Sequence, residues 1–238
     1  MGQDTYIAID IETTGLNPRT DKILEIGAAR VRDGKPVENY STFIRVGMPI
    51  PHFITELTGI DDGMAAEGIA IEEAMEQLTE FCGEDVLLGH NILFDYSFLK
   101  QAAVNQGIQF ERQGIDTLKI ARKCLPQLSS RKLESLCRYY GIETERQHRA
   151  LDDALAASEL YKRLRESYYE VEPGVFDPCA LICRAKKECP ATKIQKGYLI
   201  DLAKYHRIDL DVSLDTLTKS EASRLIDNII LQHGRIKR

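Results

Sequence analysis

The sequence predicts an α/β fold: a mixed sheet with helices on both faces, plus a small C-terminal helical appendage. Three observations carry that expectation. Apolar residues alternate with period two near the N-terminus, later strand-like runs are separated by segments of helical period, and a Pro- and Gly-containing break near residue 173 precedes a basic tail. At 238 residues the chain can hold one large domain and one small one.

The elements follow in chain order. YIAIDIE reads as a strand, with Ile7, Ile9 and Ile11 on one face and Asp10 and Glu12 together on the other. The Thr13-Thr14-Gly15 that follows ends it in a turn whose small residues let a ligand approach the backbone. KILEIGAARVRDGKPVENYSTFIRV reads as two antiparallel strands joined at Asp33-Gly34, a strong hairpin signal. AIEEAMEQLTEFC, DTLKIARKCL and KLESLCRYYGI have the period of amphipathic helices. DVLLGHN reads as a buried strand ending at Gly89, and LFDYSFLKQAA as the helix after it, with Asn91 as its N-cap.

A further helix begins near Ala150. Beyond VEPGVFDP, where Pro173, Gly174 and Pro178 break any helix, TKIQKGYLIDLAKYHRI reads as an amphipathic helix with Ile194, Leu199, Leu202 and Ala203 apolar. SLDTLTKSEASRLIDNIILQ reads as a second, with Ser220 as N-cap. The expected organisation is a domain over 1–168, a Cys-containing linker over 169–192 and a helical module over 193–238. Two helices are too few to sustain a core alone, so the module is expected to pack on the larger domain or on a partner.

Three acidic clusters stand out against this background. Asp10 and Glu12 share a strand face among β-branched residues. Asp95 lies at i, i+4 and i+7 with Leu99 and Ala102, on an apolar helix stripe near the helix start. Asp153 is the one charge on a stripe of small and apolar residues, with Ala150, Ala154, Ala157 and Leu164, while Asp152 is rotated by about 100° toward solvent. His148 lies just before that helix. Each cluster alone has an ordinary structural reading: exposed strand acids, a helix N-terminal acid, a structural histidine. Together they suggest a site for divalent cations, since hard cations prefer oxygen ligands and a lone carboxylate in an apolar setting is costly. Asp116 could be a fifth acid, but its place before a helix favours an N-cap.

The joint pattern D-x-E-T-T-G, G-H-N-x-x-F-D and H-x-A-x-x-D resembles the DEDDh family of 3′→5′ exonucleases. Within it, the chain is similar to the proofreading (epsilon) subunits of bacterial replicative polymerases and to stand-alone nucleases. The resemblance spans roughly residues 5–168 and implies a ribonuclease H-like arrangement of the sheet. It implies two Mg²⁺ or Mn²⁺ ions, ~3.5–4 Å apart as in two-metal sites generally. On that pattern Asp10 bridges both ions, Glu12 and Asp153 complete the first, and Asp95 supports the second. His148 would be the general base, imidazoles as a class titrating near neutral pH. The implied reaction releases nucleoside 5′-monophosphates from single-stranded or frayed DNA 3′ ends, in proofreading or DNA repair, with a DNA polymerase or repair partner. Thr13, Leu16, Asn91 and Phe94 match positions that hold the terminal nucleotide, and Thr58 stands where several relatives have histidine. Phe94 and Leu16 also fit a core role. Two alternatives stay open: an enzyme acting on RNA 3′ ends, and a non-catalytic binding module of the same fold.

Charge and cysteines refine the picture. The net charge of −6 is uneven: residues 1–183 carry 19 Lys and Arg against 30 Asp and Glu, and residues 184–238 carry 12 against 7. The basic tail could help to hold nucleic acid. No apolar run approaches the ~20 residues that span a bilayer and no signal peptide opens the chain, so a cytoplasmic location with no membrane partner is expected. Cys82, Cys124 and Cys137 read as core. Cys179, Cys183 and Cys189 lack a standard zinc spacing but could form a zinc site with His206.

Overall fold

A computed structural model of the chain describes residues 5–143, 148–210, 212–215 and 217–236. It resolves into two compact units, Met1–Leu16 with Asp21–Ala185, and Asn17–Thr20 with Lys186–Arg238.

The first unit is organised by a six-stranded sheet. Its strands are β1 (Tyr6–Thr13), β2 (Ile23–Arg32), β3 (Lys35–Phe43), β4 (Leu87–Gly89), β5 (Gln113–Asp116) and β6 (Cys179–Ala180), in the order β3-β2-β1-β4-β5-β6. β1, β2 and β3 pair antiparallel, while β1, β4 and β5 run parallel. The β2–β3 turn is Asp33-Gly34, both with positive φ (50° and 70°), as a two-residue hairpin of type I′ requires.

Period-two alternation in β1 divides the core. Ile7, Ile9 and Ile11 face one layer with α3 (Ile71–Cys82) and α4 (Ile92–Gln106), through Met75, Leu78, Tyr96 and Leu99. Tyr6 and Ala8 face the other, with α5 (Thr117–Cys124), α6 (Leu133–Tyr140) and α7 (Ala150–Tyr168). Helices therefore cover both faces. α7 approaches closely because Ala154 and Ala157, fully or almost fully buried, present only methyl groups to the sheet. Two shorter helices, α1 (His52–Thr58) and α2 (Asp62–Ala66), enclose a satellite core around Leu24, Ile54 and Ile60.

Several local expectations need correction. β6 lies inside the segment read as linker: it adds an antiparallel edge strand to β5. Asn91 occupies the N-cap position of α4, but in the left-handed region (φ 69°) and without a capping side-chain bond. Its own N–H instead donates to Asp116 Oδ1 at 3.0 Å. Asp116 caps α5 as expected, accepting from Leu118 N and Lys119 N.

In the second unit, α8 (Lys193–His206) and α9 (Lys219–His233) enclose a small core of Leu199, Leu202, Leu217, Ala222 and Ile229. Ile194 is not part of it, being 84% exposed in the first turn of α8. The cap of α9 is Thr218 rather than Ser220, because Thr218 and Glu221 form a reciprocal capping box that starts the helix at Lys219. Among the described residues no helix is long and apolar enough to cross a membrane.

The close seat of α7 gives a stability prediction. Ala157→Leu should overpack the α7–sheet layer and cost about 1–3 kcal/mol. A urea denaturation series on the variant should show the loss, and an unchanged midpoint would mean the layer has room to spare.

Candidate active site

The site forms where the sheet opens. β4 pairs with β1 only at Ile7–Leu87 and Ala8–Leu88 and ends at Gly89, so the last residues of β1 have a strand neighbour on the β2 side alone. The freed Ile11 N–H donates to Asp95 Oδ1 at 3.1 Å. That bond draws a carboxylate from the α4 face up to a strand whose own acids, Asp10 and Glu12, face α7. Carboxylates from both faces of the sheet meet here. Asp95 is 3% exposed and sits in the first turn of α4, where the helix dipole favours negative charge.

α7 supplies the third element. His148 precedes it with φ 60°, and its N–H donates to Asp153 Oδ2 at 3.1 Å. Ligand-capable atoms of Glu12, His148 and Asp153 all lie within 4.8 Å of one another. Asp152 is outside this group, as the helix-face reading expects. Cys179, Cys183 and Cys189 are outside it too: among the described residues no other trio of His, Cys, Asp or Glu gathers closely enough for a metal. His206, the fourth candidate for zinc, has its Nε2 hydrogen-bonded to Gly234 O at 3.0 Å.

Asp10 and Asp95 join the trio electrostatically. Burial, then the neighbouring Asp95, Asp153, Glu12 and Glu25, raises the Asp10 carboxyl well above its ordinary value. Asp95 is also raised, chiefly by burial, against the pull of the Ile11 N–H. Burial and then Asp153 push Glu12 up to about 7, opposed by Arg149. Asp153 is raised by burial although the His148 amide draws it down.

Sequence reasoning passes over Glu25 and Arg149. Glu25 is 1% exposed, stands opposite Glu12 in the β1–β2 register, and pairs with Arg149 at 2.9 Å. An isolated acid in the apolar run ILEIGAARV is the same signal that singles out Asp10 in β1.

The remaining candidates surround the acids unevenly. Thr13 is buried, its hydroxyl donating to Gly15 O at 2.6 Å, which tightens the turn after β1. Leu16, at the end of that turn, is 84% exposed. Asn91 is exposed, and Phe94 is half-buried against Phe98 in the core, so it shares both readings. Thr58 is different: it is buried in the satellite core, with its hydroxyl donating to Ile54 O and accepting from Ile60 N. Beside Asn91 a groove of about 500 Å³ is lined by His90, Leu118, Arg122, Arg131, Lys132 and Leu133, three cations and no carboxylate.

Comparison with known proteins agrees with this geometry. The RNase_T model, described as exonuclease, matches residues 7–161. This chain belongs to the exonuclease family. Among relatives, it is 33% identical to DNA polymerase III subunit epsilon of Aquifex aeolicus over 166 residues, 69% of this chain and 82% of that protein. It is 36% identical to the PolC-type DNA polymerase III of Clostridium perfringens over 205 residues, 84% of this chain. The match covers only 14% of that polymerase. Two solved structures share the fold: Exonuclease X in complex with 5′-overhanging duplex DNA (TM-score 0.59, 24% identity, 72% of this chain and 99% of that one), and an E. coli Exonuclease I–single-stranded DNA complex (TM-score 0.65, 20% identity, 74% and 42%). The sheet is thus the ribonuclease H-like arrangement of these exonucleases.

The donor set of this family member fits divalent cations. Asp10, Glu12, Asp95 and Asp153 offer oxygen ligands in a desolvated cluster, with Arg149 as the counter-charge that acts on Glu12. All four acids have folded pKa values above their unfolded ones. The folded protein therefore holds protons that the unfolded chain releases, and metal-free stability falls as pH rises from the ordinary carboxylate range through about 7. For Glu12 alone the loss is on the order of 3 kcal/mol. Cations that bind the ionised acids should reverse it. The melting temperature gained on replacing EDTA by Mn²⁺ should be small at pH 5 and exceed about 5 °C at pH 8. A gain independent of pH would contradict the assignment.

Proposed function

We propose that this chain is a metal-dependent 3′→5′ exonuclease that removes nucleotides from single-stranded or frayed DNA 3′ ends. The observation that carries this reading is the convergence of Glu12, His148 and Asp153 beside the half-buried Asp10 and the buried Asp95, in a chain of the exonuclease family. Two Mg²⁺ or Mn²⁺ ions held by Asp10, Glu12, Asp95 and Asp153 would supply an activated water and charge neutralisation at the departing 3′ oxygen.

The side chains have separable roles. His148, exposed at the rim and on the positive-φ residue before α7, takes the proton of the attacking water. The hydrogen bond from the His148 backbone N–H to the Asp153 carboxylate holds the residue bearing that ring beside a metal-holding group. Leu16 and Phe94 offer apolar surface on which a terminal base can stack, a contact that tolerates any base. Asn91 and the Thr13–Gly15 turn supply polar contacts near the same end of β1. Thr58 is the weakest member of the substrate set, because its hydroxyl is already satisfied by its own helix and the residues just after it. Phosphates upstream of the 3′ end fit the cationic groove of Arg122, Arg131 and Lys132.

Proofreading or repair, with a polymerase or repair partner, is the setting we infer from the epsilon and PolC-type relatives. Exonuclease X and Exonuclease I, whose structures contain DNA, support DNA as the substrate.

Incubation of 5′-labelled single-stranded DNA and RNA with Mg²⁺ or Mn²⁺ tests the reading. A ladder shortening from the DNA 3′ end is expected. Preferential loss of the RNA would reassign the substrate, and no degradation of either would leave a binding module. His148→Ala should lower kcat by about 10²–10⁴-fold, the range for a lost general base, while Mn²⁺ and DNA binding persist. Arg122→Ala with Lys132→Ala should instead raise KM for DNA and flatten its salt dependence, with kcat nearly unchanged.

A further inference from the structure

We infer that Glu25 and Arg149 form a positioning clasp that seats the first turn of α7, and with it His148 and Asp153, against the acids of β1. Neither residue is placed among the groups that touch the nucleic acid. Their action is on the turn that carries those groups.

The geometry is specific. Arg149 Nη2 donates to Glu25 Oε1 at 2.9 Å, and Nε lies 3.3 and 3.2 Å from Oε1 and Oε2. Both carboxylate oxygens are therefore engaged by one guanidinium, the geometry that fixes direction as well as distance. The guanidinium also lies 5.1 Å from the centre of the Phe43 ring, which confines it from a second side. Arg149 is the N-cap residue of α7 and offers no capping bond from its own side chain. The Ala150 amide, which an uncapped helix would leave without an acceptor, donates to Glu25 Oε2 at 3.2 Å. A strand carboxylate thus caps the helix from outside.

Gly27 completes the seat two residues along β2. A Cβ there would fall 2.0 Å from Leu151 N and 2.2 Å from the Ala150 carbonyl carbon, so the first turn of α7 rests on bare backbone. That turn passes its position on. Asp153 N donates to Arg149 O at 2.9 Å, and Asp153 Oδ2 accepts from His148 N at 3.1 Å. His148 and Asp153 are bound to the residue that Glu25 grips, one on each side of it in sequence.

Stability does not account for the arrangement. Buried ion pairs return little net free energy, because desolvation offsets their attraction. Glu25 is moreover buried beside Asp10 and Glu12, both of which it repels. A fifth acid in this place is unfavourable unless it holds something, and what it holds is the start of α7.

The turnover arm of the test rests on the exonuclease reading; the metal arm does not. Glu25→Ala, Glu25→Gln and Arg149→Ala are compared with the unaltered chain by Mn²⁺ calorimetry, by thermal melting and by kinetics on single-stranded DNA. Glu25→Ala and Arg149→Ala should weaken Mn²⁺ binding and lower kcat by about 10–100-fold each, as loss of a group supporting metal ligands typically does. KM for DNA should stay within about twofold. Glu25→Gln, which keeps an oxygen for the Ala150 amide, should recover a large part of the Mn²⁺ affinity. Lowered melting temperature with unaltered Mn²⁺ affinity would overturn the clasp. So would equal loss in the Gln and Ala variants. If Glu25→Ala fails to fold, Arg149→Ala decides by the same Mn²⁺ criterion. An unaltered chain that binds Mn²⁺ but degrades no nucleic acid would sink the exonuclease reading and leave the metal comparison standing. Failure of the unaltered chain to bind Mn²⁺ would overturn both.

Discussion

Mutual repulsion among buried and half-buried carboxylates is the constraint around which this unit is organised. Asp10 lies within electrostatic reach of Asp95, Asp153, Glu12 and Glu25, and burial strengthens every one of those repulsions. A cluster of this kind is unstable in isolation. It persists because the sheet and the helices packed on it gain more from apolar burial than the acids lose, and because three of the acids receive local compensation. Asp95 has the Ile11 amide and a helix N-terminus, Asp153 has the His148 amide, and Glu25 has Arg149 and the Ala150 amide. The compensation is partial. Divalent cations would supply the remainder, which is why the same feature that burdens the fold can serve as its chemistry.

The topology explains how acids from three elements reach one place. Because β4 stops at Gly89, the end of β1 lacks a strand partner on one side, and a side chain from α4 takes the vacant hydrogen bond. On the opposite face, alanines in α7 and the bare backbone at Gly27 let that helix sit close enough for Asp153 to reach Glu12. A long β4 or a bulkier α7 would keep the two groups apart. Acid cluster, short strand and small-residue helix are parts of one arrangement.

Much of this was legible in the sequence, for identifiable reasons. The alternation of Ile7, Ile9 and Ile11 with Asp10 and Glu12 is a period-two pattern, and it describes both faces of β1 correctly. The Asp33-Gly34 turn and the Asp116 cap are local chemistry, readable from neighbouring residues. Separation of Asp153 from Asp152 needed only helical periodicity. What escaped was non-local. Glu25 acquires meaning only when β2 pairs with β1 and α7 folds back over it, across a gap of more than a hundred residues. β6 is two residues long and exists only because β5 offers an edge. The start of α9 is the one local exception: Ser220 and Thr218 are both good caps, and Glu221, which pairs with Thr218 at the right spacing, decides between them.

The most direct test of the central claim is a crystal structure of the chain soaked in Mn²⁺, read by anomalous scattering. Two peaks about 4 Å apart or less are expected, bounded by Asp10, Glu12, Asp95 and Asp153. An absence of peaks there, with the four carboxylates protonated and bonded to one another at pH 8, would contradict it.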